Sequence, residues 1–124
     1  MSKAVNSDKV PAAVGPYSHG VEVGGLIFTS GQLPIDAASG EMPVGAADQA
    51  RQSLENVRHT LEAAGSSLEK IVKTTVYLKN LEDFGSVNDA YASFFQEPFP
   101  ARSCFEVARL PKGALVEIEV IAEK

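Results

Sequence analysis

Tryptophan is absent from this chain, cysteine occurs once, at Cys104, and histidine twice, at His19 and His59. A lone cysteine makes no intrachain disulfide, and one thiol with two imidazoles is a poor ligand supply for zinc, so no metal is expected; no other cofactor is expected either. Basic residues are also in deficit: 11 Lys and Arg stand against 16 Asp and Glu, a formal charge of -5. Such a chain has no overall field to draw in RNA or an acidic membrane, and an anionic ligand would need a local positive site. No stretch approaches the roughly 20 apolar residues of a membrane span. Residues 1–16 lack the basic start and apolar run of a signal peptide, so the expected location is the cytoplasm, with neither nucleic acid nor membrane as partner.

What remains is the make-up of an ordinary soluble globular protein, and 124 residues suit a single domain over 1–124. Val21 and Val23, the turn pair Gly24-Gly25, and Leu26 to Thr29 read as a hairpin. The Gly-, Pro-, Asp- and Ser-rich stretch from Gly31 to Gly45 reads as a long connecting loop. Ala47, Ala50, Leu54, Val57, Leu61 and Ala64 recur at helical spacing, with Gly65 placed to cap the end. Gln49, Arg51, Gln52, Glu55 and Arg58 fall mainly off that stripe and are expected on the solvent side. Ile71 to Lys79 reads as a strand with Val72, Thr74, Val76 and Leu78 on one face. Phe84, Val87, Tyr91 and Phe94 mark a second helix, with Asp83 as a cap or first-turn acid and Pro98 and Pro100 as stops. Two strands follow, about Ala101 to Ala108 and Leu115 to Ala122, separated by Pro111-Lys112-Gly113.

The resulting order is ββαβαββ, and two helices that each bury one stripe are expected on one face of a mixed sheet, an α+β arrangement. In the last two strands Ser103, Phe105 and Val107 alternate with Arg102, Cys104 and Glu106, and Val116, Ile118 and Val120 alternate with Leu115, Glu117 and Glu119. Grouping the charged members together gives one apolar and one charged sheet face. The charged face is either solvated, as in many antiparallel sheets, or forms a subunit interface or binding cleft.

Gly15-Pro16-Tyr17-Ser18, Thr29-Ser30-Gly31-Gln32-Leu33-Pro34, Phe99-Pro100-Ala101-Arg102-Ser103-Cys104 and Glu117-Ile118-Glu119 occur in this order along the chain. With Gln49 to Asn56 and Val107 to Lys112, these segments make the sequence resemble the RidA/YjgF family over nearly its whole length. The resemblance implies a chorismate-mutase-like fold and a homotrimer whose sheets form a central barrel, with three clefts between subunits built around Arg102. It also implies hydrolytic deamination of 2-imino acids such as 2-iminobutanoate and 2-iminopropanoate. Two departures concern the cleft mouth: Gln96-Glu97-Pro98 is shorter than the loop in many members, and His19-Gly20 replaces a commoner Gln-Ala pair.

The residues carry this chemistry to different degrees. A guanidinium can make two parallel charge-assisted bonds to a carboxylate, fixing direction as well as position, although an arginine on a strand is more often a surface ion-pair partner. Catalytic roles fall on Arg102 and Glu117, the latter holding the attacking water through its carboxylate or its carbonyl, or else serving a structural ion pair. Tyr17, Ser30, Gly31, Asn88, Arg102 and Cys104 are the expected substrate-binding residues. Tyr17 also reads as a packing residue, Ser30 as a turn hydroxyl, Gly31 as turn chemistry and Asn88 as a helix-packing or intersubunit residue. Cys104 lies two residues from Arg102, but no histidine is sequence-adjacent to activate it, and a backbone contact suits it better than a nucleophilic role. A non-enzymatic regulatory trimer that binds a 2-keto acid or another small carboxylate is the main alternative. The acidic charge and the lack of a basic aromatic patch argue against the third, an RNA-cleaving translation inhibitor.

Overall fold

A computed structural model describes all 124 residues, Met1–Lys124. Strands β1 (Lys3–Val5), β2 (Gly20–Val23), β3 (Leu26–Thr29), β4 (Ile71–Leu78), β5 (Ala101–Glu106) and β6 (Val116–Glu123) form one sheet in the order β1-β2-β3-β6-β4-β5. Only β4 and β5 run parallel, joined across helix α2 (Phe84–Ala92); every other neighbouring pair is antiparallel. Helix α1 (Ala46–Ala63) packs on β3 and β6 and against α2, so the expected α+β architecture with both helices on one face is found.

The sequence order lacked β1, whose three residues are too short to show alternation and are identifiable only by their pairing with β2. Gly24 and Gly25 both take positive φ, 59° and 79°, as a two-residue turn matching the twist of the β2–β3 hairpin requires. At the end of α1 the Gly65 N–H donates to the Glu62 carbonyl and the Ser66 N–H to the Leu61 carbonyl, with Gly65 at φ 79°. This left-handed cap closes the helix where the glycine was expected to do so.

Between the sheet and the helices lies one apolar core that includes Ile27, Leu54, Val57, Leu61, Val76, Leu78, Val116 and Ile118, all nearly inaccessible. Gln49, expected on the solvent side of α1, is instead buried: its amide donates to the Pro43 carbonyl and accepts from the Leu115 N–H. Asn56, also buried, donates to the carbonyls of Leu33 and Ile35 at 2.9 Å each. These two side chains satisfy backbone groups of the 31–45 loop that no strand or helix could satisfy, and so fasten the loop to α1.

At β4 and at the start of α2 the structure departs from the sequence pattern. A β-bulge between Ile71 and Lys73 puts Ile71 in the core and leaves Val72 exposed, so Val72 does not share the face of Thr74, Val76 and Leu78. Asp83 precedes α2 without making a side-chain cap; Asn80 caps the preceding 3-10 turn instead, accepting from the Glu82 N–H.

Candidate active site

Pairing places the candidate residues on opposite sides of the sheet. Arg102 is in register with buried Thr74 and Cys104 with Val76, which turns both toward the helices. Glu117 is in register with Tyr77, and Glu119 with Thr75, on the open face that also carries Ser103 and Phe105. The expectation that Arg102 and Glu117 share a charged face is therefore not met within one chain. Alternation orders residues within a strand but leaves the alignment of neighbouring strands free, and here the two strands align in the other sense.

Arg102 sits at the outer edge of the sheet, since β5 has a neighbour on one side only. The side chain is nonetheless held. Its Nη1 donates to Asn88 Oδ1 at 2.7 Å, and its guanidinium carbon lies 4.9 Å from the Tyr91 ring centre and 5.4 Å from that of Phe84. Phe84, Asn88 and Tyr91 are four and three residues apart, so one face of α2 presents all three to the arginine. Tyr91 is itself fixed, its hydroxyl bonded to buried Thr74 Oγ1 at 2.9 Å and its ring against Phe95. With one Nη1 contact fixed and the faces flanked by aromatic rings, the guanidinium keeps donors for a carboxylate. Beside it lies an open cleft of about 390 Å³ lined by Asn88, Tyr91, Ala92, Phe99, Pro100 and Arg102.

Cys104 is half-buried at the margin of the core. Burial raises its thiol pKa and nearby Arg102 offsets this only partly, which is the environment of a packed thiol rather than of an activated thiolate. Phe84, Tyr91 and Phe99 were not singled out as site residues from the sequence. The helical spacing was visible, but the arginine it faces was 11 to 18 residues away along the chain.

The second group gathers where β3 runs into the long loop. Gly31 lies so close to β6 that a Cβ there would come within 2.7 Å of the Glu117 carboxyl carbon, inside van der Waals contact. The missing Cβ at Gly31 thus makes room for a protein carboxylate. Burial raises the Glu117 pKa and repulsion from Glu119 adds to it. Glu119 accepts from the Tyr77 hydroxyl at 2.5 Å, a bond that helps push the phenol up to about 12. Ser30 Oγ donates to the Ser18 carbonyl at 2.7 Å, leaving the hydroxyl free only to accept. Tyr17 is half-exposed beside a pocket of about 60 Å³ that it shares with Gly31, Leu33 and Ile35.

One chain thus brings together Arg102, Asn88 and Cys104, and separately Tyr17, Ser30, Gly31 and Glu117, without joining the two groups. The first presents a held guanidinium with free donors beside an open cleft and the second a half-buried carboxyl group whose pKa burial raises, which makes this an α+β protein with a polar site on each side of one sheet. Comparison with known proteins gives the particular kind. The family model described as Endoribonuclease L-PSP matches residues 7–124. A 2-iminobutanoate/2-iminopropanoate deaminase of Escherichia coli K12 is 54% identical, with 98% of each chain covered. The crystal structure of the E. coli YjgF gene product superimposes with a TM-score of 0.94 at 52% identity, covering 98% of each chain. E. coli TdcF with bound serine gives 0.93 at 46% identity, again over 98% of both. The chain belongs to the RidA/YjgF family, to which the L-PSP model corresponds.

Proposed function

We propose that this protein hydrolyses 2-imino acids such as 2-iminobutanoate and 2-iminopropanoate to the 2-keto acid and ammonia, in clefts formed between the subunits of a homotrimer. The observation that carries the reading is the division of the candidate residues into two incomplete groups on opposite sides of one sheet. A cleft between copies joins the Arg102 edge of one subunit to the Glu117 end of another. The extensive identity with a chain named for this activity supports the substrate class.

In this reading Arg102 takes the substrate carboxylate through the donors that Asn88 leaves free, fixing the C=N carbon relative to the second group. Water adds to that carbon as the nitrogen gains a proton, and collapse of the carbinolamine breaks the C–N bond and releases ammonia. Glu117 serves both transfers: ionised, it accepts a proton from water, and its raised pKa keeps the protonated form accessible for delivery to nitrogen. Tyr17 and Ser30 line the water side, and Cys104 contributes a backbone contact. No metal or organic cofactor enters these steps.

No helix is long and apolar enough to cross a membrane. We place the protein in the cytoplasm, where the unpaired Cys104 stays reduced and reactive imines arise from pyridoxal-phosphate-dependent dehydratases. The net charge of -5 disfavours a polyanionic substrate.

The test is to supply freshly generated 2-iminobutanoate and follow 2-ketobutanoate above the uncatalysed rate. Light scattering is expected to give a trimer mass. Mixing inactive Arg102→Ala and Glu117→Gln subunits is expected to restore activity, because some clefts then receive both intact halves. A monomer, or no recovery on mixing, rejects the shared cleft; binding of 2-ketobutanoate without acceleration of the imine rejects the enzyme in favour of a regulatory trimer.

A further inference from the structure

Both histidines of the chain border the same N-terminal segment, and one of them fastens it. His19 is buried just before β2. Its Nδ1 accepts from the Ser7 N–H at 3.1 Å, its Nε2 lies 3.0 Å from the Pro11 carbonyl, and its own N–H donates to Asn6 Oδ1 at 3.2 Å. The β1–β2 ladder ends at the pair Val5 and Gly20, so these bonds continue by side chain what the backbone pairing stops doing. On its other side the His19 carbonyl accepts from the Ser30 N–H at 2.9 Å. The imidazole therefore ties residues 6–11 to the strand end that carries Ser30. That segment runs on through Pro11, Ala12 and Val14, which wall the pocket shared with Tyr17 and Gly31.

The bonding pattern admits one form of the ring. Nδ1 must be bare to accept from Ser7, so Nε2 carries the hydrogen that goes to Pro11; a second proton would set an N–H against the Ser7 N–H. The charged and titratable groups facing this clasp are Asp8 and Lys9 on the segment, and His59 and Glu62 across the shallow cleft between the segment and α1. Tyr17 and Lys112 face it from the pocket. His59 Nδ1 is buried without a partner, so it is the other imidazole that a test must separate from His19.

We propose that His19 is a positioning residue for the deamination: as the neutral ring it clasps residues 6–11, keeping Tyr17 and the pocket wall in place, and a second proton opens the clasp. The role in deamination rests on the function proposed above; the clasp itself does not. A carboxamide also offers one acceptor and one donor but takes up no proton, which makes His19→Gln the informative variant.

The experiment compares wild type, His19→Gln, His19→Leu and His59→Gln between about pH 5 and pH 8. It reads amide-exchange protection of residues 6–11 and steady-state kinetics on 2-iminobutanoate corrected for uncatalysed hydrolysis. In wild type, protection of Ser7 is expected to fall and KM to rise by about fivefold toward acid pH, the scale of one lost hydrogen bond. His19→Gln is expected to flatten both changes, His19→Leu to show the acid values throughout, and His59→Gln to leave the wild-type profile. Identical profiles in wild type and His19→Gln, or a profile abolished by His59→Gln, would overturn the proposal. Intact protection of Ser7 in a folded His19→Leu protein would do so as well. If no variant accelerates the imine, the deaminase reading fails while the exchange data still decide the clasp. If exchange follows His19 and KM does not, the positioning role is overturned and deamination stands.

Discussion

Around Arg102 the side chains are held by their own chain, through Asn88, Tyr91 and Phe84 on one helical face, whereas around Glu117 a carboxyl group is crowded against Gly31 and repelled by Glu119. The first arrangement holds a cation in place; the second raises the pKa of a carboxyl group. If the first binds substrate and the second transfers protons, as proposed, changes to each are expected to appear in different kinetic constants.

The largest effect is expected at the binding end. Arg102→Ala should lower kcat/KM about thirtyfold or more, the scale of a charge pair of about 2 to 5 kcal/mol once enclosed in the proposed cleft between subunits, with trimer mass and unfolding unchanged. Arg102→Lys should recover little, because lysine restores charge without the fork. At the proton-transfer end, Gly31→Ala should push the Glu117 carboxylate aside and lower kcat by roughly ten- to a hundredfold with KM nearly unchanged. A matching rise in KM instead would erase the distinction between the two ends.

Smaller changes sharpen it. Tyr91→Leu removes a cation–π face worth about 1 kcal/mol and should raise KM about fivefold while sparing kcat. Glu117 gives a pH signature in stability. A carboxyl whose folded pKa is raised stabilises the fold while protonated, and loses that contribution as pH rises through the raised value. Melting curves of Glu117→Gln and wild type should therefore coincide below about pH 4 and separate in favour of the variant at neutral pH. Cys104→Ser should change activity least; a trapped covalent adduct on the thiol together with an inactive, folded serine variant would reverse its assignment.

The helices, the hairpin and five of the six strands were legible in the sequence because each rests on local periodicity or turn chemistry, as with Gly65 and the Gly24-Gly25 pair. β1 was not, since Lys3 to Val5 are strand only by virtue of Gly20 to Glu22 opposite them. The site residues were named through family motifs, and local pattern placed Arg102 and Cys104 correctly on one face of their strand. The relation between Arg102 and Glu117 was not legible, because it depends on how β5 and β6 each align with β4. Gln49 and Asn56 were hidden for a similar reason: a helical polar residue is solvent-facing by default, and only the loop lying over α1 turns these amides into anchors.

The stacking of Arg102 on Tyr91 has an optical consequence. Without tryptophan, the near-ultraviolet emission of this protein comes from Tyr17, Tyr77 and Tyr91 alone. One of these lies under the guanidinium and another beside the Gly31 pocket, while the third is bonded to Glu119. A carboxylate docking on the guanidinium as proposed would change the field at that fluorophore, so tyrosine emission is expected to report binding on the unlabelled protein. Single replacements of Tyr17 and Tyr91 by phenylalanine would assign the signal to one half of the cleft or the other.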